Sequence, residues 1–320
     1  MKIVINGADS AGDVPCSDLI PSSFQAVYVN SENALAAALP GAEVLVGWAF
    51  ADRSLENCFR HADRLKWVHC CSAGVDAVMF PALQESDVIV TNSRGLFDKP
   101  MAEYLLGYML GQNKKFNDTR TGQVSKNWAY QETISLQGQT AVIFGVGSIG
   151  REFARYLKFM GVGVSGVGRR YRENDPDFGT IFGAESRLEV IKDADWVVAV
   201  MPDTPETHDY FDSEFFNAMK VSSRFVNLGR GTAVDETALA VSLNESRIAG
   251  ALLDVFKSEP LPVDHAFWEC KNLMISPHMS GDFQGYREEL FKIFIANLER
   301  YSGGLPLQNP VDTRVGFAVG

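Results

Sequence analysis

Three short segments in the second half of the chain carry side chains able to do acid–base and electrostatic chemistry. They are Asn227-Leu228-Gly229-Arg230-Gly231, Asp254-Val255-Phe256-Lys257-Ser258-Glu259-Pro260 and Ser276-Pro277-His278-Met279-Ser280-Gly281. Each follows directly on an apolar run of strand type. Ligands of an open parallel sheet bind outside the carboxyl ends of its strands, so the three segments are expected to meet at one cleft. Together they offer a guanidinium, a carboxylate and an imidazole. Singly, each has an ordinary structural role: Arg230 as a surface ion-pair partner, Glu259 before Pro260 as a carboxylate at a helix start, His278 after Pro277 as a loop histidine. Jointly, in this order, they read as a reacting constellation.

A second signal lies upstream. Ala141-Val142-Ile143-Phe144-Gly145-Val146-Gly147-Ser148-Ile149-Gly150 is G-x-G-x-x-G at the end of an apolar strand and the start of a helix. The glycines permit a tight turn, close backbone approach to a pyrophosphate and tight strand–helix packing, and the helix N-terminus faces the anion. Ile149, Phe153, Leu157 and Met160 follow in helical phase, and Gly161 stands where the helix should stop. This points to a dinucleotide. NAD-selective folds place Asp or Glu at the end of the next strand, about 20 residues past the glycines, to hold the ribose 2′-hydroxyl. Here that place falls on Gly168, followed by Arg169 and Arg170, with Glu173 beyond the strand end. Two guanidiniums and no acid favour a 2′-phosphate, hence NADP over NAD, with NAD use still open.

The elements that must position these groups form two series. Apolar runs at Lys2–Asn6, Ala26–Asn30, Glu43–Trp48, Lys66–Cys71 and Asp87–Thr91 alternate with segments of helical spacing such as Asn33–Leu39 and Ser54–Ala62. A second series runs Thr140–Phe144, Val162–Val167, Trp196–Val200, Arg224–Asn227, Gly250–Asp254 and Leu273–Ser276. Strands alternating with helices imply α/β architecture: two doubly wound parallel-sheet domains, a Rossmann cofactor domain with about six strands and a flavodoxin-like substrate domain. Asp98–Lys114 reads as a linking helix whose surplus of large apolar groups could also serve a subunit contact. Tyr286–Tyr301 reads as another helix, and the tail from Gly303 is too short for a domain. The expected division is therefore a discontinuous substrate domain of residues 1–97 and 284–320, and a cofactor domain of residues 98–283 that includes a dimerisation segment, residues 98–139.

These motifs, in their order and spacing, resemble the D-isomer-specific 2-hydroxyacid dehydrogenase family, and within it the glyoxylate/hydroxypyruvate reductase branch. The likeness spans essentially the whole chain and includes Met201-Pro202, Thr204-Pro205-Glu206-Thr207 and Asn227–Glu236. It implies that His278 donates the proton in carbonyl reduction, that Glu259 is its charge partner, and that Arg230 anchors the substrate's carboxylate and carbonyl. Hydride addition builds alkoxide charge that needs both a proton and a nearby cation, so the chemistry agrees. In His69-Cys70-Cys71-Ser72-Ala73-Gly74-Val75-Asp76 the likeness implies a loop, around Ala73, Gly74 and Val75, whose backbone N–H groups hold the substrate acid. It implies further cofactor contacts at Pro202, Thr207, Leu228, Gly229, Asp254, His278, Ser280 and Gly281, with Asp254 reaching the nicotinamide carboxamide. Trp48 and Trp128 are candidate pocket walls, with ordinary core packing as the alternative. The expected activity is NAD(P)H-dependent reduction of a small 2-oxo acid to the D-2-hydroxy acid. The alternative is a nucleotide-sensing corepressor-like protein without turnover.

Composition narrows the partners. In 320 residues, 29 Lys and Arg against 40 Asp and Glu give a formal charge of −11, with no basic run beyond a pair, so nucleic acid and anionic membrane are poor partners. No apolar run reaches the ~20 residues of a membrane span. Five cysteines without zinc spacing read as reduced thiols in a cytoplasm. His69 beside two cysteines is not expected to bind metal, because neighbouring strand positions point to opposite faces. A homodimer is the expected assembly.

Overall fold

The computed structural model describes residues 1–314. It divides the chain into two compact units, Met1–Leu96 together with the chain from Phe283 onward, and Phe97–Asp282.

The first unit is built on β1 (Lys2–Asn6), β2 (Gln25–Val29), β3 (Val44–Gly47), β4 (Trp67–Cys70) and β5 (Ile89–Asn92), with α1 (Glu32–Ala38), α2 (Ser54–Cys58) and α3 (Pro81–Gln84) between them. The sheet is parallel, in the order β2-β1-β3-β4-β5. This is the flavodoxin-like order. Both faces are covered, which is why the strands read as continuous apolar runs rather than alternating ones. Val4, Leu45, Val68 and Val90 pack with Leu35, Leu39 and Leu83 on one face. Ser31 starts α1 by accepting the N–H of Ala34.

The second unit carries eight strands: β6 (Thr140–Phe144), β7 (Gly163–Gly168), β8 (Arg172–Asp175), β9 (Gly179–Gly183), β10 (Trp196–Ala199), β11 (Arg224–Asn227), β12 (Gly250–Leu253) and β13 (Leu273–Ile275). Their order is β13-β12-β11-β10-β6-β7-β9-β8. All pair in parallel except β8 with β9. The helices are α4 (Asp98–Asn113), α5 (Phe116–Val124), α6 (Ser148–Phe159), α7 (Arg187–Val190), α8 (Ser213–Ala218) and α9 (Glu236–Asn244).

Two sequence expectations are corrected here. The hairpin β8–β9 was absent from the expected count of about six strands, because Arg-Glu-Asn-Asp carries no β signal. Ion pairs hold it: Arg151 on α6 bonds Asp175 through both terminal nitrogens at 2.9 and 2.8 Å and Asp177 at 2.7 Å, and Arg155 bonds Asp177 at 2.8 Å. The apolar surplus of α4 is covered within its own unit. Met101, Ala102, Leu105, Tyr108 and Met109 are buried with Phe153 and Leu157 of α6, and Tyr108 meets Trp196 edge-on at 6.1 Å. The exposed apolar side chains lie further along, at Phe116, Val124, Trp128, Tyr130 and Ile134.

The chain then returns to the first unit as α10 (Tyr286–Ser302). Leu290, Phe291, Phe294 and Leu298 are buried there, and Phe294 lies 5.5 Å from Trp67 and 5.6 Å from His69. After α10, Val311 donates its N–H to Val90 and Asn92 donates to Asn309, which ties the tail to the edge strand β5.

Candidate active site

The turn between β6 and α6 has the shape a pyrophosphate needs. Gly145 sits at φ +108°, and a methyl group there would lie 2.5 Å from the Val200 carbonyl oxygen; at Gly150 it would lie 1.9 Å from that of Gly145. Both positions thus demand glycine for packing. At Gly147, the residue preceding α6, a methyl group would meet nothing within 4 Å. That open space, at the head of a twelve-residue helix, fits the close backbone approach of a dinucleotide. Ser148 donates its hydroxyl to Asp98 at 3.3 Å, and Ile149 packs against the core below the turn. Arg169 and Arg170 follow Gly168 directly at the end of β7, both exposed. Of the carboxylates on the neighbouring hairpin, Asp175 and Asp177 are engaged by Arg151 and Glu173 accepts from the Tyr171 hydroxyl at 2.5 Å. Glu206 is held below the usual carboxylate range by its own backbone N–H and by Thr204, with the charge of Arg169 a smaller contribution.

The Arg230 loop and the Glu259 loop are pressed together by a glycine. A methyl group at Gly231 would stand 2.0 Å from the carbonyl carbon of Phe256, so only glycine lets the chain after β11 lie against the chain after β12. Asn227 fixes the first loop from both ends, accepting from the N–H of Gly229 at 3.0 Å and donating to the carbonyl of Arg230 at 2.9 Å. Leu228 is core, and Arg230 donates from Nη1 to Gly229 O at 2.7 Å. In the second loop Glu259 Oε1 accepts the N–H of Phe256 at 2.9 Å, and Oε2 lies 2.8 Å from His278 Nδ1. An ionised carboxylate only accepts, so Nδ1 carries the hydrogen and Nε2 is the nitrogen at which a proton can be exchanged. Burial pushes the Glu259 carboxyl up, but the bonds from His278 and Phe256 outweigh it and hold the pKa below the ordinary glutamate value.

His278 itself adopts the left-handed backbone, φ +52°, which is uncommon for a residue with a Cβ. Asp254 secures it. This carboxylate is 1% exposed: Oδ1 accepts from the Ser276 hydroxyl and from the N–H of Met279 at 2.9 Å, and Oδ2 from the N–H of Ser280 at 3.0 Å. The Asp254 carbonyl takes the N–H of His278 at 2.8 Å, and Tyr104 on α4 donates to Ser276 at 2.8 Å. Asp254, expected at the carboxamide, thus has both oxygens engaged by the His278 loop. Tyr104 and Ser276 are structural partners that sequence reasoning missed; Tyr104 carried only an apolar-stripe signal. Gly281 packs on Phe97. Thr207, expected near cofactor, uses its hydroxyl to close its own turn, donating to Pro202 O at 2.8 Å while accepting the N–H of Thr204 at 2.9 Å.

In the first unit the loop after β4 has its carbonyls tied down. Ser72 donates to Gly74 O and Asn92 to Ala73 O, both at 2.6 Å. What the loop has left to offer an anion is its N–H groups. His69 is fully buried with Nδ1 2.8 Å from the Thr91 hydroxyl, and burial lowers its pKa to about 3. Among the described residues no group of three or more His, Cys, Asp or Glu is placed to hold a metal ion. Trp48 is buried against Phe291 with Arg287 over its ring, and Trp128 is 100% exposed. Among the described residues no helix is long and apolar enough to cross a membrane.

Comparison with known proteins agrees with this geometry. A (S)-sulfolactate dehydrogenase of Chromohalobacter salexigens is 30% identical over 243 residues, 75% of this chain and 78% of that protein. A glyoxylate/hydroxypyruvate reductase A of Serratia proteamaculans is 28% identical over 249 residues, 76% and 79%. The crystal structure of a D-isomer specific 2-hydroxyacid dehydrogenase from Xanthobacter autotrophicus, in complex with NADPH and MES, superposes with a TM-score of 0.82 at 25% identity, covering 99% of each chain. Residues 106–280 match the NAD binding domain of the D-isomer specific 2-hydroxyacid dehydrogenases. With that domain matched, and with an imidazole–carboxylate pair, a guanidinium and a dinucleotide turn gathered in one unit, the chain belongs to the D-isomer-specific 2-hydroxyacid dehydrogenase family.

Proposed function

We propose that this chain reduces a small 2-oxo acid of the glyoxylate/hydroxypyruvate class to the D-2-hydroxy acid, with NADPH preferred over NADH. The observation that carries this reading is the 2.8 Å pair of His278 Nδ1 and Glu259 Oε2 in the unit that also holds the dinucleotide turn and Arg230. NADPH, when held there, would supply the hydride that adds to the carbonyl carbon. His278 gives the proton at Nε2 to the carbonyl oxygen, and Glu259 stabilises the imidazolium before the transfer. Arg230 holds the carboxylate and the polarised carbonyl oxygen. The N–H groups of Gly74 and Val75 are assigned to the carboxylate. Gly145, Gly147, Ser148, Ile149 and Gly150 cradle the pyrophosphate, and Arg169 and Arg170 take the 2′-phosphate. The NADPH held by the Xanthobacter protein supports that preference.

The exposed Phe116, Val124, Trp128, Tyr130 and Ile134 form the surface for a second copy, giving a homodimer that sedimentation velocity would read as twice the 35.2 kDa chain mass. The compartment is a reducing cytoplasm, consistent with five free cysteines, three of them, Cys58, Cys70 and Cys71, buried in the first unit.

The test is a panel of glyoxylate, hydroxypyruvate, pyruvate and phenylpyruvate, each with NADPH and with NADH, following loss of the reduced cofactor's absorbance. Turnover of none of them sinks the reading. Equal kcat/KM with both cofactors sinks the NADP preference, which Arg169→Asp should erase or reverse.

A further inference from the structure

Glu259 lies within a segment whose two flanks end on one carboxylate, that of Glu236. Ahead of Glu259, Lys257 donates its backbone N–H to Glu236 Oε1 at 2.9 Å. Beyond it, His265 presents Nε2 to Glu236 Oε2 at 3.4 Å. His265 Nδ1 accepts the N–H of Phe267 at 3.3 Å, so the ring hydrogen sits on Nε2 and faces the carboxylate. The two side chains are largely sheltered, Glu236 at 17% exposure and His265 at 24%.

The joint is anchored on each side. Glu236 is the first residue of α9, and the helix is capped by its neighbour: Asp235 Oδ1 accepts the N–H of Ala238 at 3.0 Å, which leaves the Glu236 side chain to reach outward. The Lys257 ammonium is tied to Asp209, in the loop after β10. The His265 ring lies 4.7 Å from that of Phe267, a buried core residue.

Successive N–H groups of the turn after β12 thus go to different carboxylates, Phe256 to Glu259 Oε1 at 2.9 Å and Lys257 to Glu236. The division matters because Glu259 keeps its other oxygen for His278 Nδ1, at 2.8 Å. Without Glu236 the Lys257 N–H loses its acceptor beside the Glu259 carboxylate, and the His265 flank is released. Glu259 is then drawn toward the N–H groups of its own turn and away from the imidazole. A hydrogen-bonded pair tolerates little displacement, and an ångström of misplacement is costly at a reacting centre. We infer that Glu236 is a positioning residue, clamping both flanks of the segment that carries Glu259 so that this carboxylate stays aimed at His278. The inference rests on the assignment of Glu259 and His278 to proton transfer.

The test is a double-mutant cycle in the full chain, with hydroxypyruvate and NADPH, reading kcat and both KM values. Glu236→Ala should lower kcat by roughly tenfold, and by no more than Glu259→Ala does, with KM for NADPH within about twofold of its original value. In the Glu259→Ala background no carboxylate remains to be positioned, so adding Glu236→Ala should cost less than about twofold more. A role in general stability alone would cost the same in both backgrounds. If Glu236→Ala does not fold, the same cycle is run with Glu236→Gln, which keeps an oxygen for Lys257, offers His265 only an NH₂ and should lose roughly threefold. In the variant used, an unchanged kcat, an equal loss with and without Glu259, or a loss confined to KM overturns the role of Glu236, while turnover by the unmodified protein leaves the reductase reading standing. An unchanged kcat in Glu259→Ala removes the assignment on which the clamp rests. No turnover of hydroxypyruvate, glyoxylate or pyruvate by the unmodified protein overturns the reading itself.

Discussion

Replacing Asp254 by Asn tests whether the left-handed backbone of His278 is held by a carboxylate. Asp254 accepts three hydrogen bonds through its side chain, from Ser276, Met279 and Ser280, and none of its surface of consequence reaches solvent. An amide keeps one accepting oxygen. Whichever way it turns, its NH₂ faces a donor: the N–H of Ser280 on one side, the Ser276 hydroxyl and the N–H of Met279 on the other. At least one bond to a charged group is lost, about 1.5–3 kcal/mol, which is roughly 10- to 150-fold if it falls wholly on the placement of His278 in the transition state. Ser276→Ala removes one hydroxyl from the same group, about 0.5–1.5 kcal/mol or roughly 2- to 12-fold. Tyr104→Phe, one bond further out, should cost less than either. Because His278 is assigned to the chemical step, the loss should appear in kcat while KM for NADPH stays near its original value. A carboxamide contact would show the opposite split. Steady-state kinetics on all three variants, with thermal unfolding to verify folding, provides the measurement. Asp254→Asn within twofold of the original kcat, or a loss confined to KM for NADPH, would refute the anchoring role. Asp254→Asn combined with Ser276→Ala should cost less than the sum of the two, as expected for partners in one network.

Two further outcomes concern stability and pH. Asp175→Asn should destabilise the protein by about 1–3 kcal/mol, discounted from the cost of breaking a fully buried pair because Arg151 is a quarter exposed, and an unmoved denaturant midpoint would show that the hairpin does not depend on it. The Arg151 bond depresses the Asp175 pKa against the pull of burial, so this contribution is complete above the ordinary carboxylate range and is lost only as pH falls through the depressed value. Glu259 is likewise depressed; its pairing with His278 should therefore contribute to stability near neutrality and fade as pH drops through and below the usual glutamate value. Urea midpoints measured across the acid range should show that slope in the original protein and a flatter one in Glu259→Gln.

The apolar runs of this chain were enough to locate most strands, and three of them, Lys2–Asn6, Thr140–Phe144 and Arg224–Asn227, were read with the bounds they have in the structure. The reason is local: a parallel strand buried on both faces needs an uninterrupted apolar run, and the glycine turn needs its residues adjacent. The hairpin β8–β9 escaped because its first strand is held by an arginine more than twenty residues upstream, a pairing with no periodicity to betray it. Composition showed that α4 must cover an apolar face, but only packing decided that α6 and Trp196, rather than a second chain, cover it. The order of Arg230, Glu259 and His278 was legible because strand ends of one sheet converge. The tertiary structure alone decided that Asp254 reaches across to the His278 loop and that Tyr104 meets Ser276 from 172 residues away. Hydrogen bonds act over about 3 Å with directional demands, so which donor finds which acceptor depends on register and side-chain direction, and these are fixed only when the sheets and helices have packed.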